Sequence, residues 1–176
     1  MKASNRKHFF AAIVTAFLLI LTAAMLATSV SVVPSLLLFD ESGQKLTELP
    51  LVGGSFVHCY IHSIHKTPVD EEFIVSGKEL KLVRLRYDAY GVGMPSDGGE
   101  AFRIEDGRFV IDMSRSFARL DIRVSHLPDH GLLIDGNFHP FTEWVPVESL
   151  ITLKAGRMIT IFPGGRLFHE RTNNQR

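Results

Sequence analysis

Residues 9–33 form a run of 25 without a single charge, preceded by Lys2, Arg6 and Lys7 and followed by the first acid, Asp40. No other feature restricts the fold as much, because an uncharged apolar run of this length has two ordinary destinations, a bilayer or an export signal. Read as one helix rising about 1.5 Å per residue, it is about 37 Å long, more than a hydrocarbon core of about 30 Å. A signal peptide needs only 7 to 15 apolar residues. Length therefore favours an uncleaved anchor, although Ala23, Ala24, Ala27, Ser29 and Ser31 leave cleavage after Ala27 open. The run has no polar face to suit a buried core helix. No cysteine follows it, which excludes a lipidated signal. Both readings keep the basic N-terminus in the cytoplasm and deliver the chain from about Pro34 outward. The expectation is a membrane-anchored protein whose C-terminal domain lies outside the cytoplasm, with the lipid bilayer as partner through residues 9–33.

The remaining residues suffice for one core. Branched aliphatics and aromatics continue as far as Phe168, which excludes disorder. One cysteine, Cys59, excludes an internal disulfide and suits a small buried hydrophobe within an apolar strand. Beyond the first seven residues, 16 basic side chains face 19 acidic ones. A net charge near −3 without a basic stripe excludes a nucleic-acid partner.

Residues 34–54 read as a linker with one short strand, from the turn signal Glu41-Ser42-Gly43 and the pair Gly53-Gly54. From 55 onward the pattern is short, β-rich and punctuated. Phe56, His58, Tyr60, His62 and Ile64 alternate with Val57, Cys59, Ile61, Ser63 and His65. Strands at 72–75 and 79–87 flank Ser76-Gly77-Lys78, and strands at 102–104 and 109–111 flank Asp106-Gly107. Further strands fall at 120–124 and 132–134, the second followed by Asp135-Gly136-Asn137. Residues 147–153 and 158–162 are expected to pair as a hairpin across Ala155-Gly156. No window after Val33 holds a helical period. The expectation is an all-β fold, a single β-sandwich or barrel-like domain over 55–169, after one N-terminal transmembrane or signal helix (1–33) and the linker (34–54), with a polar tail at 170–176.

His58, His62, His65, Asp70, Glu71 and Glu72 are the densest polar feature. A strand separates His58 from His62 by about 13 Å, so a metal would need a ligand from another strand, such as His126, His130 or His139. A hydrolase built on Ser63 with His62 or His65 fails because neighbours on a strand face opposite ways. Gly91-Val92-Gly93-Met94-Pro95 lacks the lysine and the following helix of a phosphate-binding loop, and suits a tight turn. No catalytic residue, metal or cofactor is assigned.

Tyr60-Ile61-His62-Ser63-Ile64, Thr67-Pro68-Val69-Asp70-Glu71 and Tyr90-Gly91-Val92-Gly93-Met94-Pro95 resemble the motifs of a bacterial family of unknown function. Its members are small exported or membrane-anchored proteins, often encoded beside TRAP-type transporters of the TAXI class and sometimes fused to the transporter membrane subunit. The resemblance covers about residues 56–161 and singles out His62, Ser63, Thr67, Pro68, Glu71, Gly91, Gly93 and Pro95; many members carry a glutamate near the position of His65. It implies a place at the bacterial inner membrane with the C-terminal domain in the periplasm and an accessory role, with TRAP transporter subunits as partners, and it implies no mechanism. If residues 66–70 are the turn, His62 and Glu71 sit on neighbouring strands within hydrogen-bonding reach. The binding candidates are thus His62, Ser63, Thr67, Glu71, Gly91, Gly93 and Pro95, in an interaction module or in a domain that binds a small ligand or metal on its own.

Overall fold

The structure, a computed structural model, describes residues 2–26, 28–89, 91 and 102–163. They divide into two compact units, one within residues 1–32 and 159–176 and the other within residues 33–158.

In the first unit a single helix, α1 (Lys2–Leu26), takes up the basic segment and most of the uncharged run. The helix stops short of the expectation. Thr28, Val30, Val32 and Val33 belong to a strand, β1 (Thr28–Phe39), as β-branched side chains favour extended backbone. The uncharged run is thereby divided, and its helical part, 9–26, is about 27 Å long. Among the described residues no helix is long and apolar enough to cross a membrane. Residues 8–23, whose side chains are described, are exposed on every side of α1. Phe9, Phe10, Phe17, Leu19 and Ile20 are each more than 60% exposed.

The second unit is built on two antiparallel sheets. β1, β2 (Lys45–Pro50), β8 (Leu120–Arg123) and β11 (Leu150–Pro163) form a four-stranded sheet in the order β2-β1-β11-β8. The seven-stranded sheet contains β3 (Ser55–Ile61), β4 (Pro68–Ser76), β5 (Glu79–Tyr87), β6 (Phe102–Glu105), β7 (Arg108–Phe117), β9 (Gly131–Ile134) and β10 (Asn137–Pro140). Its order is β10-β9-β3-β4-β5-β7-β6. One buried cluster draws on both sheets: Leu36, Leu38, Ile151 and Leu153 from the first, Phe56, Phe73, Leu80, Leu82 and Leu132 from the second. Burial of these side chains, all at or below 6% exposure, is the main force holding the layers together.

Residues 34–54 are therefore not a linker. Leu36, Leu38 and Leu51 have no exposed surface, and β1 pairs with β2 from Ser35↔Pro50 to Phe39↔Lys45. Two prolines and several glycines mask this in the sequence, yet Pro34 and Pro50 stand at positions where strand pairing starts or ends. The hairpin expected across Ala155-Gly156 is also absent: β11 runs unbroken through both residues. Gly156 is there for close approach, since a Cβ would lie 2.6 Å from Ser35 Oγ and 2.9 Å from Leu37 Cδ1 on β1.

The expected turns at Gly77 (φ 65°) and at Asp106 and Gly107 (φ 51° and 80°) are present. In β5 the pairing slips at Val83. The bulge switches the inward face from Leu80 and Leu82 to Leu85 and Tyr87, so apolar residues of both parities stay buried. Leu85 and Tyr87 join Val69 and Ile111 in a second, smaller cluster. On the outward face of the large sheet, Arg84 bridges Glu72 and Asp112, Arg103 bridges Glu105 and Asp112, and Arg108 bridges Asp70 and Asp88.

Candidate functional site

β3 ends at Ile61, and the next six residues form a turn that brings the chain back into β4. His62 N–H donates to Thr67 O (2.9 Å) and Lys66 N–H to His62 O (2.9 Å), with Lys66 at φ 55°. The His62 ring folds back over this turn. Its Nδ1 accepts from the backbone N–H of Ile64 (3.3 Å) and of His65 (3.2 Å), and its ring stacks on that of His65 with centroids 4.9 Å apart. Ser63 is exposed in the same turn. Thr67 contributes its carbonyl and Pro68 opens β4, where a missing N–H is tolerated at the first strand residue.

This turn is four residues earlier in register than the pairing expected of His62 and Glu71. The strands pair Ile61 with Pro68 and His58 with Glu71, so the carboxylate meets His58 and not His62. His58 Nδ1 stands 2.9 Å from Glu71 Oε2. On its other side His58 Nε2 stands 3.1 Å from Nε2 of His130, from the loop before β9. His58 and His130 are 7% and 8% exposed, an uncommon degree of burial for two imidazoles, tolerable because each ring nitrogen has a partner.

The hydrogens in this chain of bonds can be assigned from one end. Ser125 N–H donates to His130 Nδ1 (2.7 Å), so that nitrogen supplies the lone pair and neutral His130 carries its hydrogen on Nε2. That N–H donates to His58 Nε2. His58 must then carry its own hydrogen on Nδ1, which it donates to the Glu71 carboxylate. Tyr60 closes the series: burial, then the charge of Glu71 and a hydrogen bond to it, hold its phenol protonated well above the usual range. Burial, then the neighbouring His58, push His130 down to about 4.

Phe141 seals the inner side. Its ring is edge-on to His130 (centroids 5.0 Å, 84°) and 5.8 Å from His58, while its N–H donates to His130 O (3.1 Å). Glu71, between His58 and Tyr60, keeps a side chain 26% exposed. The arrangement fixes a carboxylate and two imidazole tautomers in a rigid line; it places no nucleophile beside a base.

A metal fits poorly here. Two Nε2 atoms converging at 3.1 Å superficially suit one ion, and Glu71 behind His58 is the partner a metal-bound imidazole often has. His130 Nε2, however, holds a hydrogen for as long as Ser125 N–H occupies Nδ1. Among the described residues no group of three His, Cys, Asp or Glu side chains is placed to hold a metal; His126 and His139, the other sequence candidates, face Glu148 and Glu143.

Gly91 touches the turn from outside the strand pair. At φ 143°, a Cβ on it would fall 2.5 Å from His65 Cε1 and 2.6 Å from His65 Nε2, so only glycine fits. His65 Nε2 is buried without a hydrogen-bond partner among the described residues. Gly93 and Pro95 lie outside the described residues. On the opposite face of β3, Cys59 is half-buried and unpaired; burial, then the charge of Asp70, push its thiol up to about 12, so it is an inert packing group at neutral pH.

The structure therefore brings Glu71 together with His58, Tyr60 and His130, which sequence reasoning did not assign as site residues, and places His62, Ser63 and Thr67 in the adjoining turn. Fixing the turn at 62–67 would have exposed the His58–Glu71 pair, because hairpin partners add to a constant.

Residues 56–141, just under half of the 176, match DUF1850, a domain of unknown function. The matched segment opens with β3 and ends at Phe141, so it encloses all members of the His130–His58–Glu71–Tyr60 series. No curated protein and no solved structure matches the chain.

Proposed function

We propose that this protein is a membrane-tethered interaction domain, held by α1 at the bacterial inner membrane with its β-domain in the periplasm, and that it serves as an accessory to a TRAP-type solute transporter of the TAXI class. One observation carries the tether: the apolar side chains of residues 8–23 are exposed all around α1. A helix with no polar face does not leave that surface to water, and acyl chains are the medium it suits. Its apolar part, about 27 Å, is shorter than a hydrocarbon core of about 30 Å, a mismatch that local thinning of the bilayer around the helix accommodates.

The interaction reading is supported by what the polar groups do. Glu71, His58 and His130 are bonded to one another and His62 to its own turn, an investment in a fixed surface at the 62–67 turn rather than in turnover. Polar groups on well-held loops commonly serve recognition. The choice of a TAXI-class transporter rests on the motif resemblance around residues 60–71 and 90–95.

Purification of the tagged full chain from mildly solubilised membranes, with mass spectrometry of what accompanies it, tests this reading. Transporter subunits in stoichiometric amount, lost on replacing Ser63 with a bulky charged residue such as Arg in the exposed turn, are the expected result. A chain that purifies alone contradicts it.

A further inference from the structure

We propose that the two-stranded ribbon of residues 28–32 of β1 and 159–163 of β11 lies in the headgroup layer of the bilayer, with Val30, Val32 and Ile159 turned toward the acyl chains. The placement rests on the tether reading and carries it from α1 to the strands that follow. Val30, Val32 and Ile159 are each more than 60% exposed. Among the other large apolar side chains described in strands only Ile104 is as open, and it stands between two charged neighbours, Arg103 and Glu105.

The three share one face. β1 and β11 are neighbours in the sheet. Lys154 Nζ lies over the Phe39 ring and Gly156 faces Ser35 and Leu37, so β1 recedes as β11 advances, and Ile159 stands about level with Val32. A Cβ on Gly156 would point at Ser35 Oγ, so even-numbered residues of β11 share a face with odd-numbered residues of β1. Ile159 therefore shares the other face with Val30 and Val32. On that face the same strands carry Leu36, Leu38, Ile151 and Leu153, all buried. The apolar pattern thus continues into residues that nothing buries among those described.

Continuity of the chain supplies the occupant. One residue separates the end of α1 at Leu26 from the start of β1 at Thr28. Four extended residues at about 3.3 Å each keep Val30 within about 13 Å of the end of the helix. No Asp, Glu, Lys or Arg occurs between Lys7 and Asp40, or from Met158 to Gly165, so no charge on either strand draws the ribbon into water. The backbone limits its depth. β2 pairs with β1 only from Ser35 onward, and β8 with β11 only as far as Leu153. Both outer edges of the ribbon are without a strand partner among the described residues, and open edges are not tolerated in hydrocarbon. Headgroups and their water satisfy those edges while the apolar face is covered.

The test uses the full-length chain with Cys59→Ala, reconstituted into phosphatidylcholine vesicles and carrying one nitroxide at Val32→Cys, Ile159→Cys, Ser31→Cys, Leu19→Cys or Ile104→Cys. Power saturation measures collisions with a water-soluble nickel chelate, and far-UV circular dichroism shows that each variant has folded. The chelate should reach the labels at 32 and 159 about threefold less often than the label at 104, as befits an apolar face set into the interface. Ser31 is less exposed than Val32 in the chain itself, and the bilayer should invert that order. The label at 19 should be the most shielded of all. A shielded label at 19 with open labels at 32 and 159 would leave the tether standing and overturn the ribbon's placement; it is also the result for a face that awaits a protein partner, since only lipid is present. An open label at 19 would overturn the tether and the placement together. Equal shielding at 31 and 32, or labels at 32 and 159 as shielded as that at 19, would contradict a ribbon lying flat in the headgroup layer.

Discussion

The Nε2 atoms of His58 and His130 meet at 3.1 Å although the two residues are 72 positions apart. Because Ser125 N–H occupies the far nitrogen of His130, only one distribution of hydrogens satisfies the pair, and it needs both rings neutral. Protonation of either imidazole sets two N–H groups against each other.

From this follows a dependence of stability on acidity. Unfolded, His130 takes up a proton near the ordinary histidine value of about 6.5; folded, it does so at about 4. Between those values the unfolded chain binds more protons, so the contribution of neutral His130 is complete above about pH 6.5 and is lost as pH falls toward about 4. Thermal unfolding followed by circular dichroism should show a falling Tm across this window. His130→Gln, whose amide can accept from Ser125 and donate to His58, should show a flatter curve. Identical slopes would contradict the assigned hydrogens.

Glu71 should matter more to stability than His62. Glu71 receives His58 Nδ1–H inside the sheet, and Glu71→Gln turns an amide N–H toward one of its two donors, His58 or Tyr60. The expected loss is about 1–3 kcal/mol in urea unfolding. His62→Ala removes two backbone hydrogen bonds at an open turn, where water replaces them, and should cost about 0.5–1 kcal/mol. The reverse order would return the central role to His62.

Gly91→Ala should destabilise by about 1–3 kcal/mol, from its φ of 143° and from the collision with the His65 ring. Adding His65→Ala should restore part of that loss, since only the collision is removed. No restoration in the double variant would place the whole effect in the backbone.

Gly156→Ala brings a methyl against Ser35 Oγ and the Leu37 side chain, and should weaken the β1–β11 contact by about 1–3 kcal/mol. An unchanged urea midpoint would show that β1 yields easily there.

Much of the large sheet was legible because side-chain alternation and αL-prone turn residues report directly on local backbone. Asp106-Gly107 and Gly77 are examples, as are the alternating Phe56, His58 and Tyr60. Gly156 was misread because a glycine marks either a turn or a close approach, and only the neighbouring strand distinguishes them. Residues 34–54 were misread because turn residues at their ends drew attention from Leu36 and Leu38. In α1 the uncharged run concealed a change of conformation at Thr28, where β-branching outweighed continuity of hydrophobicity. His130 could not be placed at all: its partner is fixed by the pairing of β3 with β9, a long-range contact that leaves no local periodicity. The turn at 62–67 fell within reach of the sequence, but the alternation continued as far as His65 and hid the end of the strand.

The tether is the central claim, and carbonate extraction of cell membranes followed by protease treatment of intact spheroplasts tests it most directly. The full chain should stay with the carbonate-washed membranes while its β-domain is digested from the outside. Release of the full-length chain into the soluble fraction, or protection of the β-domain until the membrane is opened, would contradict it.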